Sequence, residues 1–75
     1  MALTPADVGH RVVVRRRLPG ERGLSGGPAL TDVIGILESW DGAELVVRRT
    51  DDTLVRIPRS LVVAGKRVPP RPPRR

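Results

Sequence analysis

Valine comes in short clusters in this chain, and each cluster is cut off by a turn signal. Arg11-Val12-Val13-Val14-Arg15-Arg16 is β-branched at its centre and runs almost at once into Leu18-Pro19-Gly20. β-Branched side chains lose little in an extended backbone and more in a helix, so this run predicts a strand. Thr31–Trp40, Ala43–Arg49 and Leu54–Pro58 repeat the pattern, and Val63-Ala64, continued by Gly65-Lys66, predicts a short fifth strand. A chain built of such pieces has to fold as a sheet.

The punctuation between the strands predicts how they connect. Asp41-Gly42 is a hairpin signal, with both residues expected at positive φ in a type I′ turn. Thr50–Thr53 predicts a second turn, and Arg59–Val62 a single 3₁₀ turn leading into the last strand. Gly35, inside a strand, predicts a sharp bend or a close backbone approach. Leu18–Leu30 is rich in glycine and proline and reads as a long loop. At the start, Thr4-Pro5-Ala6-Asp7 predicts one capped turn, with Thr4 as cap and Asp7 three residues on. These pieces describe an all-β domain, a small five-stranded SH3-like barrel over residues 1–66, followed by a Pro/Arg-rich tail or truncated linker over 67–75. Alternation places Val12, Val14, Val33, Leu37, Leu45, Val47, Val55, Ile57, Leu61 and Val63 inward.

Composition excludes several functions. The chain has 75 residues, no cysteine, one aromatic residue (Trp40) and one histidine (His10). One small domain fits that length, and a zinc site or disulfide framework is not expected. Asp7, His10 and Ser60 are the residue types of a hydrolytic triad, but nothing in their spacing assembles them. Gly23-Leu24-Ser25-Gly26-Gly27 lacks the Gly-Lys-Ser/Thr ending of a phosphate-binding loop. The expectation is a non-enzymatic chain with no cofactor and no metal. Met1–His10 has no basic segment leading into an apolar run, and no stretch approaches a membrane span of about 18 apolar residues. A cytoplasmic location with no membrane partner is expected.

Charge is uneven along the chain. Fourteen Lys and Arg against eight Asp and Glu give a formal charge of +6. The excess lies in residues 11–22 and in the tail, whereas residues 23–65 are mildly acidic. Arg15, Arg16, Arg17 and Arg48, together with Trp40, are the candidate interaction surface, although Trp40, just before the Asp41-Gly42 turn, is more simply read as a cover over one barrel end. Lys66, Arg67, Arg71, Arg74 and Arg75 are the candidate tail contacts. Arginines of this density bind phosphates, which makes RNA or DNA one partner class. The aromatic platforms that stack bases are missing, apart from Trp40. Aromatic-lined grooves for proline-rich peptides or methylated lysine are excluded on the same ground. Pro69, Pro72 and Arg74 fit a Pro-x-x-Pro-x-Arg pattern, but in such a composition a semi-rigid linker is the simpler reading.

Several segments together resemble a known family: Val8-Gly9-His10-Arg11-Val12-Val13-Val14-Arg15, Leu30-Thr31-Asp32-Val33-Ile34-Gly35, Leu45-Val46-Val47-Arg48 and, above all, Ile57-Pro58-Arg59-Ser60-Leu61-Val62-Val63-Ala64-Gly65-Lys66-Arg67-Val68-Pro69-Pro70-Arg71-Pro72. Over residues 8–72 the chain resembles the N-terminal SH3-like domain of actinobacterial GNAT-type, histone-acetyltransferase-like N-acetyltransferases. An excess of arginine over lysine, 13 to 1, fits a GC-rich bacterial source. In that family the barrel precedes the acetyl-CoA-binding domain, and Lys-x-Val-Pro-Pro-Arg-Pro connects the two. The acetyl-CoA pyrophosphate loop, Gln/Arg-x-x-Gly-x-Gly/Ala, is not present, so no catalytic residue is carried over. The resemblance implies an accessory interaction domain, with the acetyltransferase domain or its protein substrate as partner. A stand-alone basic barrel binding RNA or DNA is the alternative.

Overall fold

The valine clusters pair into one antiparallel sheet of five strands in the order β4-β3-β2-β1-β5. The strands are β1 (Arg11–Arg22), β2 (Pro28–Trp40), β3 (Glu44–Arg48), β4 (Leu54–Pro58) and β5 (Val62–Arg67). Single 3₁₀ turns occupy Pro5–Asp7 before β1 and Arg59–Leu61 before β5. The computed structural model describes residues 3–22 and 27–69, with backbone alone at 21, 22 and 28. The predicted all-β class is what the chain adopts.

The first two strands are much longer than the sequence predicts. β1 and β2 continue through most of the expected loop, so that only residues 23–27 lie between them. Pairing runs from Arg11↔Ile36 to Arg17↔Leu30, then jumps to Arg22↔Pro28. Leu18, Pro19, Gly20 and Glu21 therefore stand opposite Ala29 alone. Pro19 has no N–H to donate, and Gly20 takes φ of +77°. Both are tolerated where the ladder bulges, which is why turn-forming residues sit inside a strand here. Gly23–Gly26, the centre of the glycine-rich stretch, lies outside the described residues.

Core packing follows the alternation on most strands. Val12, Val14, Leu37, Leu45, Val47 and Ile57 are fully enclosed, and Val33 is nearly so. Gly35 lies on this inner face, and a Cβ there would overlap the carbonyl of Arg48 on the neighbouring strand. Its predicted role, a close backbone approach, is met. Leu3, which the sequence did not mark, is buried as well. It lies over Gly65 of β5, where a Cβ would come 2.7 Å from its Cδ1.

Three predicted details are corrected. Leu61 is only half-buried and stands outside the core, while Val55 packs against it from the side. Val62, not Val63, packs against the core, and Val63 is 43% exposed. Pairing of β1 with β5 steps from Arg15↔Ala64 to Arg16↔Val62, so Val63 is a bulge that reverses the parity before it. At Asp41-Gly42, only Gly42 has positive φ. The Asp41 carboxylate instead accepts from the amides of Ala43 and Glu44, both at 2.8 Å, so the turn is held by a side chain rather than by a type I′ backbone.

The chain also stays with the sheet beyond residue 66. Arg67 closes β5, and the Val68 amide donates to the Arg11 carbonyl at 2.9 Å. Arg11 Nη1 donates to the Pro69 carbonyl, also at 2.9 Å. Residues 67–69 are thus docked on the body rather than forming the start of a free tail.

Candidate interaction surface

Alternation that buries Val12 and Val14 turns Arg11, Val13 and Arg15 to the other face of β1. β2 does the same with Asp32, Ile34 and Ile36, because Val33, Gly35 and Leu37 face the core. Residues directly opposite one another share a face, so pairing assembles the outer surface. Ile36 lies between Arg48 of β3 and Arg11 of β1. Val13 lies between Ile34 of β2 and Lys66 of β5. Arg15 lies between Asp32 and Ala64. The result is an apolar strip of Ile36, Ile34 and Val13 with cations on both sides. Ile34 is 45% exposed.

Of the candidate arginines, few are free. Arg15 Nε donates to Asp32 Oδ1 at 3.0 Å and its Nη2 to Oδ2 at 3.4 Å, an exposed two-point pair across the strands. That guanidinium holds the Asp32 carboxyl below its ordinary value, and Asp32 in turn raises Arg15. Arg16 is half-buried on the other face and donates to the Arg17 carbonyl at 3.2 Å. Arg17 is exposed, with no carboxylate in ion-pairing range among the described residues. The arginine run is therefore split between two faces and is not one phosphate grip. Arg48 lies 3.4 Å from Glu38 and 3.5 Å from Asp52.

Trp40 is not on this surface. Pairing of β2 with β3 steps from Leu37↔Val47 to Ser39↔Val46 and Trp40↔Leu45. Glu38 is the extra residue, and it shifts Trp40 from the outer parity to the inner one. The indole packs against the core beside Leu45.

Arg67, expected as a tail contact, is part of the fold. Its Nε bonds the Asp7 carboxylate, and its Nη2 donates to the Ala6 carbonyl at 3.1 Å. The other Asp7 oxygen accepts from the Thr4 amide at 2.8 Å. First that amide and then the Arg67 guanidinium hold the Asp7 carboxyl below its ordinary value. Lys66 is exposed and has no carboxylate in pairing range among the described residues. Arg71, Arg74 and Arg75 lie outside the described residues, as do Pro72 and the rest of the Pro-x-x-Pro-x-Arg pattern.

Sequence reasoning missed Arg11 and Arg49. Both line two adjoining hollows of about 370 and 470 Å³, with Thr50 shared as well. The signal for Arg11 was its place in the Arg11-Val13-Arg15 alternation. Arg49 follows the end of β3 and could be placed only by the fold. His10 is exposed and lines the first hollow, and its amide donates to the Asp7 carbonyl at 3.0 Å. No group of three His, Cys, Asp or Glu among the described residues is arranged to hold a metal ion. No helix among them is long and apolar enough to cross a membrane.

A family model described as the Rv0428c N-terminal Sm-like domain matches residues 6–66. No curated protein and no solved structure matches the chain. The match covers every strand except the last residue of β5 and agrees with a small β-barrel architecture. It describes the small β-barrel as Sm-like and carries nothing on the acetyltransferase association. With five antiparallel strands and a match over most of its length, the chain belongs to the Rv0428c N-terminal Sm-like domain family.

Proposed function

We propose that this Sm-like barrel is a non-catalytic interaction module that docks on an acetyltransferase catalytic domain or on the protein such an enzyme modifies. The observation that carries this reading is the clasp at residues 67–69. Arg67 is tied to Asp7 and Ala6, Val68 to the Arg11 carbonyl, and Pro69 to the Arg11 side chain. A connector meant to flop freely needs no such ties. One meant to leave the barrel in a set direction does. The likeness of Lys66–Pro72 to an acetyltransferase connector supplies the partner class.

Titrating the chain into a GNAT-type catalytic domain tests the reading, with acetyl-CoA titrated into the chain alone as control. Binding of the domain and no heat with acetyl-CoA is the expected result. Acetyl-CoA binding by the chain itself, or no binding of either partner, overturns it. A second reading, binding to RNA or DNA phosphates, is favoured by exposed Arg17, Arg49 and Lys66, which have no ion-pair partner among the described residues. Titrating a single-stranded oligonucleotide at two salt concentrations tests this second reading, since phosphate contacts weaken with a logarithmic slope of about −0.7 to −0.9 per contact, and no binding at low salt removes it.

A further inference from the structure

We infer that the outer face of the sheet is a docking track for an acidic, aliphatic segment of a partner protein, lying across β3, β2, β1 and β5. The inference rests on the protein-docking reading above and adds the place and the chemistry.

Three hollows join on this face. The first is lined by Arg11, Ile36, Arg48 and Arg49, and the second by Arg11, Asp32, Ile34 and Arg49. The third, about 450 Å³, is lined by Val13, Arg15, Asp32, Ala64 and Lys66. Asp32 belongs to both the second and the third, so the track is continuous.

Charge then selects the occupant. Five cations line the track (Arg11, Arg15, Arg48, Arg49 and Lys66) against two carboxylates, Asp32 and Asp52. Asp32 is taken by Arg15, and Asp52 by Arg48. Arg11, Arg49 and Lys66 make no salt bridge among the described residues, and of the three only Arg49 has a carboxylate near enough to feel its charge, that of Asp51. The one acceptor that the Arg11 side chain has among the described residues, the Pro69 carbonyl, is neutral. A guanidinium has five N–H donors, so most of those on Arg11 are still to be used.

The apolar strip argues against nucleic acid on this face. Val13, Ile34 and Ile36 run between those cations, where a phosphate backbone would leave them unmatched. Base stacking needs aromatic platforms, and the single aromatic side chain packs on the core side. Carboxylates with aliphatic side chains between them match both elements at once. In an extended segment, alternate side chains face the same way, so one face carrying Glu and Val in turn presents that combination.

The test uses the full chain, isotope-labelled for NMR, and a synthetic peptide whose one face alternates Glu with Val and whose other face is Ser. Resonances of Val13, Ile34, Ile36, Arg49 and Lys66 are expected to shift. Arg49→Glu and Lys66→Glu are each expected to weaken binding about fivefold, the scale of an exposed ion pair. Arg59→Glu, outside the track, is expected to leave binding unchanged. The proposal is overturned if the Gln-for-Glu peptide binds equally well, if the shifts fall elsewhere, or if a single-stranded oligonucleotide displaces the peptide. Repeating the mapping with the catalytic domain separates this proposal from the broader reading. A domain that binds through another face removes the track and keeps the docking function, and a domain that does not bind while the peptide does has the reverse effect.

Discussion

The guanidinium of Arg67, on the last strand, bonds the carboxylate of Asp7, in the first 3₁₀ turn, across 60 residues of chain. Asp7 is buried, yet each of its oxygens has a partner, Thr4 on one side and Arg67 on the other. The pair fastens the point where the chain enters the barrel to the point where β5 ends.

Acid should release this fastening. The Asp7 carboxyl titrates below its ordinary value of 3.8 in the folded chain, through the Thr4 amide first and Arg67 second. A depressed folded value means that the stabilisation is complete above the ordinary value and is lost as pH falls through the folded one. Urea midpoints should therefore drop on acidification below 3.8, and drop less in Asp7→Asn, which should already be destabilised at neutral pH. Equal acid sensitivity in the two proteins would mean that the other lowered carboxyls, Asp32, Asp41 and Asp51, account for it.

Gly35→Ala should be among the most damaging single-methyl changes in the chain. The added carbon would overlap the Arg48 carbonyl, a backbone atom that cannot turn aside. A loss of about 3 kcal/mol is expected, on the scale of core overpacking. Gly27→Ala, which meets nothing within 4 Å and has no positive φ, should be tolerated. Denaturation of the two variants side by side decides it.

The bulge at Val63 predicts an inversion between neighbours. Val62→Ala should cost more stability than Val63→Ala, since Val62 packs on the core and Val63 is 43% exposed. Val47→Ala, at a fully enclosed position, sets the upper reference at about 2 kcal/mol or more, and an exposed change such as Val63→Ala should stay within about 0.5 kcal/mol. Equal effects at positions 62 and 63 would place the bulge elsewhere.

Trp40→Ala should lower stability without altering binding to the outer face. Its ring is half-buried against the core beside Leu45, so a loss of about 2 kcal/mol is expected, short of the 3–5 kcal/mol of a fully buried aromatic. Peptide binding by the folded variant should match that of the parent. A folded variant with weakened binding would put Trp40 on the docking surface after all.

Much of the fold was legible locally. Valine clusters and turn residues identified five strands, the capped turn at Thr4–Asp7 and the 3₁₀ turn after Pro58, because extended backbone, caps and turns depend on neighbouring residues. Alternation identified Val12, Val14, Val33, Leu37, Leu45, Val47 and Ile57 as inward for the same reason. The outer surface was less legible. Arg15, Arg16 and Arg17 look like one cluster in sequence, but a strand sends neighbours to opposite faces, and Asp32 neutralises one of them from across the ladder.

What the sequence by itself determined is the set of extended segments and most of the residues each one buries. Only the tertiary structure decided how those segments register. Bulges at Glu38 and Val63 turn Trp40 inward and Val63 outward, and another lets β1 run past Pro19 and Gly20. Each leaves extra residues on one strand relative to its partner, one at Glu38, one at Val63 and three in β1, so its position is a property of the pair and is written in neither segment alone. Long-range contacts follow the same logic. Asp7 with Arg67, Leu3 over Gly65, and Arg11 beside Arg49 join residues whose separation in the chain says nothing of their distance, and it is these meetings that build both the clasp and the docking track.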